Sequence, residues 1–177
     1  MFAFKKEYFF IVENIKDINL SNKKKVNKFS IVYRSKKKNE NIKELEQFRR
    51  TCKQRGINFF VSNNVKLTSI LKADGIYISA FNKDLSINRL KNLNLKIIGS
   101  AHNIQELNVK TLQGCKTVFF SRLFKTSYTD KPEYFGVIRY NLFKLKFKHD
   151  LVPLGGIRLT NLNKLKIINC KSFAILS

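Results

Sequence analysis

Leu151-Val152-Pro153-Leu154-Gly155-Gly156-Ile157-Arg158-Leu159-Thr160-Asn161 is the stretch that decides the fold. It runs from an apolar segment of strand type, through a glycine pair, into a helical pattern over Thr160–Asn169. An apolar strand without polar alternation is one buried on both faces, as in a parallel sheet, and a helix directly after it completes one βα unit. The unit recurs on either side. Towards the C-terminus, Phe173-Ala174-Ile175-Leu176 is a further strand, and the sequence stops at Ser177. Towards the N-terminus, Thr117–Phe120 is a strand followed by a helix whose apolar stripe is read as Phe135, Ile138, Leu142 and Leu145. Before it lie a strand at Lys96–Gly99 and a helix at Asn103–Gln113, with Asn103 and Glu106 at its start and Gly114 at its end.

Further back, Gly75–Ile78 is a strand with a short helix at Ser86–Leu93 behind it. Ile57–Val61 is a strand followed by a helix at Val65–Lys72 with Leu67, Ile70 and Leu71 inward. Asn41–Arg55 is the clearest helix: Ile42, Leu45, Phe48 and Cys52 recur three or four apart, Asn41 and Glu44 form a capping pattern, and Gly56 is a stop. Phe29–Tyr33 and Phe9–Val12 are the first strands, joined by a polar connection at Lys24–Lys28 where a first helix would stand. This makes eight strands, the number that closes a barrel; an open flavodoxin-like sheet would normally use five or six. The sequence therefore predicts one domain over residues 1–177, a compact (β/α)8 TIM barrel with a reduced first helix and no last helix.

Composition sets bounds on function. Hydrophobic residues make up 44% of the 177, enough for one full core. No apolar run approaches the ~18 residues of a membrane span, and Met1-Phe2-Ala3-Phe4-Lys5-Lys6 places charges where a signal peptide needs an apolar run. A cytoplasmic protein is expected. Cys52, Cys115 and Cys170 are widely spaced, with only His102 and His149 to accompany them, so they read as buried, reduced thiols rather than a zinc site. The net charge of +23 has two readings. One is an anionic polymer or membrane as partner. The other is a coding bias, since the chain is rich in Lys, Asn, Ile and Phe. The runs Lys23–Lys25 and Lys36–Lys38 lack interleaved aromatics, which weighs against nucleic acid.

In a barrel of this kind the loops after the strands carry the chemistry. Gly155 and Gly156 let a phosphate approach backbone N–H groups at the start of a helix, and Ser177 after the eighth strand adds a hydroxyl. The segment Ser121–Gly136 is long and rich in hydroxyls and cations, suited to closing over an anion. His102 has two readings, a general acid/base or a packing and capping residue, and no carboxylate is evident beside it.

Together these segments resemble the thiamine-phosphate synthase/TenI family, from about the second strand onward. Ile97-Ile98-Gly99-Ser100-Ala101-His102 is similar to that family's Ile-Ile-Gly-x-Ser-x-His, one residue shorter. Leu123-Phe124-Lys125-Thr126, spaced from Phe135-Gly136 as the family spaces its Thr and Gly, resembles the Pro-x-Phe-Pro-Thr loop. Leu154–Asn161 echoes Ala-x-Gly-Gly-Ile-Thr-x-Asn, Ala174–Ser177 echoes Ala-x-x-Ser, and Ala73-Asp74-Gly75-Ile76 resembles Ala-Asp-Gly-Val-His.

The resemblance implies a transferase of thiamine biosynthesis that joins hydroxymethylpyrimidine diphosphate to thiazole phosphate, releasing pyrophosphate. It implies that Gly155, Gly156, Ser177 and Thr126 hold the thiazole phosphate, that Arg34 and Lys36 face the diphosphate, and that Ser100, Ser62 and Asn63 meet the pyrimidine substrate. Several positions depart from the family pattern. Its Gln falls on Val32, and its Asn-Asp after the third strand falls on Ser62-Asn63. Its second Asp falls on Asn82, so both metal-holding carboxylates are amides and no protein metal ligand is predicted. Its Lys in the strand-six loop falls on Thr129, with Lys131 two residues on as the substitute, and the His of the TenI branch falls on Arg122. Mg²⁺ is accordingly expected to arrive with the diphosphate. The expected partners are phosphorylated thiamine precursors, with no membrane and no nucleic acid, and a homodimer is compatible with the sequence. A TenI-like tautomerase or a non-catalytic phosphate binder is the alternative, and a basic nucleic-acid-associated protein a more distant one.

Overall fold

A computed structural model describes residues 7–18, 20, 29–35, 41–126, 133–147 and 149–176. Eight parallel strands close a barrel in chain order: β1 (Glu7–Val12), β2 (Phe29–Tyr33), β3 (Asn58–Ser62), β4 (Gly75–Ile78), β5 (Lys96–Ala101), β6 (Thr117–Ser121), β7 (Asp150–Leu154) and β8 (Ser172–Leu176). The ring is completed by β1 beside β8, with Phe9 opposite Ala174. The interior is a packed core to which every strand contributes: Ile11, Val32, Phe60, Tyr77, Ile98, Phe119, Val152, Leu154 and Ala174, with Phe9 against them. Phe9 and Phe119 meet at 4.8 Å between ring centroids, and Phe119 and Tyr77 at 5.6 Å. Burying rings of this size contributes about 2–3 kcal/mol each.

Among the described residues four α-helices cover the outside: α1 (Ile42–Gln54), α2 (Val65–Ile70), α3 (Ile104–Leu112) and α4 (Gly136–Leu145). The first three begin at Asn41, Asn64 and Asn103, whose side chains accept the backbone N–H groups of Glu44, Leu67 and Glu106. Asp74 ties α1 to the sheet. It accepts the Phe59 N–H at 2.7 Å and pairs with Arg49 at 3.0 Å, while the same guanidinium donates to the Lys72 carbonyl. The Ala73-Asp74-Gly75-Ile76 stretch thus has a structural role at the entry to β4.

The first connection contains a three-residue 3₁₀ turn at Ile15–Asp17; Lys24–Lys28 lies outside the described residues. Two connections expected as α-helices are 3₁₀ segments of nine residues each, Leu85–Leu93 and Leu159–Ile167. Both still cover the barrel wall, the first through the buried Ile87 and the second through the buried Leu165.

Five expected inward residues point outward: Ile42 and Ile70 are exposed, and in α4 the buried residue is Tyr140, with Ile138 and Leu145 both 77% exposed and Leu142 also exposed. Apolar residues are spread around this helix among Arg139, Asn141 and Lys144, so hydrophobic spacing alone leaves its rotation open. Aromatic stacking sets it: Phe143 lies on Phe120 of β6 at 4.6 Å, and Phe135 meets Phe120 edge-on at 5.1 Å.

Cys52, Cys115 and Cys170 are buried. Burial is the main cause that pushes the Cys52 thiol from 9.0 to about 12. Because the folded value lies above the unfolded one, the protonated thiol's contribution to stability is complete below pH 9 and is lost as pH rises towards 12. A disulfide-exchange reagent at neutral pH is expected to find three thiols in denaturant and none reacting promptly in the folded protein. Rapid labelling of the native chain would contradict this packing.

Candidate active site at the C-terminal ends of the strands

The best-defined part of the rim follows β7. Gly155 and Gly156 both take left-handed backbone angles, φ +93° and +68°. At Gly156 a Cβ would stand 2.5 Å from the Phe124 carbonyl oxygen and 2.6 Å from that of Lys125, so glycine is required on grounds of space as well as conformation. The turn is pinned from both sides. Leu123 and Phe124 donate their N–H groups to the carbonyls of Leu154 and Gly155 at 2.9 and 3.1 Å. Asn161 donates to the Gly156 carbonyl at 2.8 Å and accepts the Arg158 N–H at 2.9 Å. Thr126, Gly155, Gly156, Ile157 and Arg158 line a cavity of about 280 Å³ with Ala174, Ile175 and Leu176 of β8. The sequence-expected phosphate residues Thr126, Gly155 and Gly156 therefore come together; Ser177 lies outside the described residues.

Beside this cavity stands Arg122, the first residue after β6. Its side chain packs against Gly155 and donates to the Thr126 hydroxyl at 3.2 Å. It also lines a larger cavity, about 690 Å³, with His102, Ser121, Glu133, Tyr134, Phe135 and Arg139. Backbone bonds from Phe135 to the Arg122 carbonyl and from Gly136 to the Leu123 carbonyl, each 2.9 Å, close the base of the β6 loop. That gives the Phe135-Gly136 pair a structural reason. Lys131 and Thr129 lie outside the described residues.

A second group lies across β2–β5. Arg34 follows β2, donates its N–H to the Val12 carbonyl at 2.8 Å, and pairs with Glu13 at 3.1 Å. Both side chains are partly exposed, so the pair contributes little to stability and leaves the guanidinium accessible. Lys36 lies outside the described residues. Ser62 ends β3 opposite Tyr77, and Ser100, buried in β5, accepts the Tyr77 hydroxyl proton at 2.9 Å. Burial raises the Tyr77 pKa, while the Ser100 hydrogen bond and the Arg34 charge oppose the rise. Tyr77 is thus a neutral phenol within the barrel. Sequence reasoning passed over it, although a tyrosine at an inward position of an otherwise apolar strand needs a polar partner.

His102 has the carboxylate that seemed absent. Glu106 Oε2 accepts the His102 backbone N–H at 2.7 Å and lies 2.9 Å from Nδ1. This is the capping role, one helical turn apart, and it turns the ring so that Nδ1 faces the carboxylate.

The amides at the family's metal positions touch each other. Asn82 Nδ2 donates to Asn63 Oδ1 at 3.2 Å, and the same oxygen accepts the Ser79 N–H at 3.0 Å. Asn82 Oδ1 accepts the Asp84 N–H at 2.9 Å. Neither oxygen carries a formal charge and both are engaged, so these residues do not fit a protein-held Mg²⁺. Among the described residues no three His, Cys, Asp or Glu side chains gather into a metal-binding group.

A closed parallel barrel with a glycine-turn cavity after β7 has the architecture of enzymes that hold phosphorylated substrates at the C-terminal rim. Residues 21–177 match the profile of thiamine monophosphate synthase, TMP-TENI, and the chain belongs to that family. A thiamine-phosphate synthase of Prochlorococcus marinus is 27% identical over 152 residues, which is 83% of this chain and 43% of that protein. The thiamine-phosphate synthase of Clostridioides difficile (strain 630) is 26% identical over 141 residues, 78% of this chain and 66% of that protein. The chain thus spans less than two thirds of either relative. In fold it is similar to the solved thiamine phosphate pyrophosphorylase of Pyrococcus furiosus: TM-score 0.71, 17% identity, covering 98% of this chain and 86% of that one.

Substituting Gly156 by Ala is expected to cost about 1–3 kcal/mol in denaturant unfolding, from strain at positive φ together with the carbonyl clash. Gly155→Ala is expected to cost less, because its nearest neighbour is the movable Arg122 side chain. Equal costs would contradict the turn geometry.

Proposed function

We propose that the chain is a divergent, cytoplasmic thiamine-phosphate synthase. It would couple hydroxymethylpyrimidine diphosphate with thiazole phosphate to give thiamine phosphate and pyrophosphate. The observation that carries this reading is the cavity shared by Thr126, Gly155 and Gly156 in a chain of this family. In the reading, the thiazole phosphate sits against the glycine turn, with the Thr126 hydroxyl and the Ser177 hydroxyl as further donors and the Arg122 guanidinium beside them. Arg34, Lys36 and Lys131 face the diphosphate. The bond from the pyrimidine methylene carbon to the diphosphate oxygen breaks with its electron pair on the leaving group. The thiazole nitrogen then supplies the pair that forms the new carbon–nitrogen bond. Cations stabilise charge as it develops on the departing oxygen. Ser100, oriented by Tyr77, and Ser62 and Asn63 provide polar contacts for the pyrimidine. Mg²⁺ enters as a component of the diphosphate substrate.

No helix among the described residues is long and apolar enough to cross a membrane. The partners in this reading are small phosphorylated molecules, and a second copy of the chain is the protein partner it allows. Against a TenI-type tautomerase stands Arg122 in place of the branch's histidine.

The test is to incubate the purified chain with both substrates and Mg²⁺ and to quantify thiamine phosphate. Product formation is expected to fall to background in Gly156→Asp. Thr126→Val, which keeps the turn glycines, is expected to raise the KM for thiazole phosphate about tenfold or more, as befits a lost hydrogen bond to a charged group. Thiazole-phosphate binding without product would instead support a non-catalytic binder. Binding to nucleic acid that weakens steeply with salt and ignores Gly156→Asp would support the basic-protein alternative.

A further inference from the structure

The amide pair in the loops after β3 and β4 is part of a larger hydrogen-bonded assembly with a buried lysine behind it. Asn63 holds Ser79 twice, accepting its N–H at 3.0 Å and donating to its hydroxyl at 2.9 Å. Asn82 closes the link by donating to Asn63 Oδ1 at 3.2 Å. Two carboxylates in these positions would repel each other and need a cation between them, whereas an amide carries both donor and acceptor and needs none.

On the other side of the loop, Lys110 of α3 is fully buried. Its ammonium donates to the Asn82 carbonyl at 2.7 Å and to Gln113 Oε1 at 2.8 Å. Gln113, also fully buried, donates to the carbonyls of Asn82 and Asp84 at 3.0 and 2.9 Å. The lysine stem runs over Gly99, where a Cβ would approach its Cδ to 2.9 Å, so the glycine of the Ile97–His102 stretch makes room for it. Burial lowers the Lys110 pKa, and the nearby Cys115 and Glu106 oppose the shift. A lysine head enclosed in this way is held by its hydrogen bonds, and two of the three bonds to the carbonyls of this loop converge on one residue, Asn82.

We propose that the chain fixes its loops after β3 and β4 with an internal lysine and an amide pair, Lys110 and Asn63–Asn82, in place of a protein-held Mg²⁺. The folded chain then has no specific affinity of its own for that ion. Lys110 and Gln113 are positioning residues that act through Asn82. The assignment holds whether or not the chain couples the two substrates, and its test reads stability and hydrogen exchange rather than turnover.

Thermal unfolding of the full chain would be followed in millimolar MgCl₂ and in NaCl of matched ionic strength. The wild type is expected to unfold at the same temperature in both. The Asn63→Asp/Asn82→Asp double variant is expected to unfold at a lower temperature in NaCl and to be restored, saturably, by MgCl₂. A wild type stabilised specifically and saturably by MgCl₂ would overturn the proposal. So would a double variant as stable as the wild type in NaCl. Asn63→Ala, which adds no charge, covers the case in which the double variant fails to fold. Exchange of the Ser79 amide proton is expected to quicken roughly fivefold to tenfold, the loss of one hydrogen bond. Lys110→Met is expected to quicken exchange at Asp84 while the Asn103-capped Glu106 amide stays protected. Unchanged exchange at Ser79 and Asp84 would count against the assembly.

Discussion

Closing eight short parallel strands into a ring requires that the space inside be filled. Phe9, Phe60, Tyr77 and Phe119 supply most of that filling, and the smaller Ala174 lets Phe9 lie across from β8. Everything at the rim is referenced to this packed ring. Inward positions alternate along each strand, so the residue two beyond a core side chain reaches the rim on the same side. Tyr77 therefore presents its hydroxyl to Ser100, while the turn after Leu154 begins where the β7 interior ends. A one-residue slip in any strand would exchange these groups for outward ones.

The second constraint is economy of chain. Two connections return along the barrel through nine-residue 3₁₀ segments, and the first return contains only a 3₁₀ turn among its described residues. Local hydrogen bonds carry the conformation of the turns at the rim. Asn161 pins the Gly155–Gly156 turn, Asn63 pins Ser79, and Glu106 pins His102. Each tie converts a short polar connection into a fixed wall of the rim, which is what a site that must hold phosphate groups without large side-chain rearrangement requires.

The barrel was legible because parallel strands buried on both faces read as apolar runs, and the asparagine caps and glycine stops between them leave local signatures at Asn41, Gly56, Asn103 and Gly114. The glycine turn was legible for the same reason: no other residue fits Gly156. The orientation of α4 was not, since apolar residues are spread around it and its contacts with Phe120 select the face. Nor was the partnership of Asn63 with Asn82, or the burial of Lys110. A lysine on an amphipathic helix reads as solvated, and only the fold brings its ammonium to a carbonyl 28 residues away in sequence. The Glu106–His102 contact stood at i,i+4 spacing and was readable in principle, but its meaning depended on knowing where the helix begins.

The proposed function depends on the turn after β7 binding an anion. ¹⁵N-labelled protein would be titrated with thiazole phosphate and its backbone amides followed by NMR. Saturable shifts concentrated at Thr126, Gly155, Gly156 and Ile157 are expected, with the barrel bottom unmoved. Shifts scattered over the lysine-rich surface and abolished by moderate salt, or saturable shifts confined to another part of the rim, would contradict it.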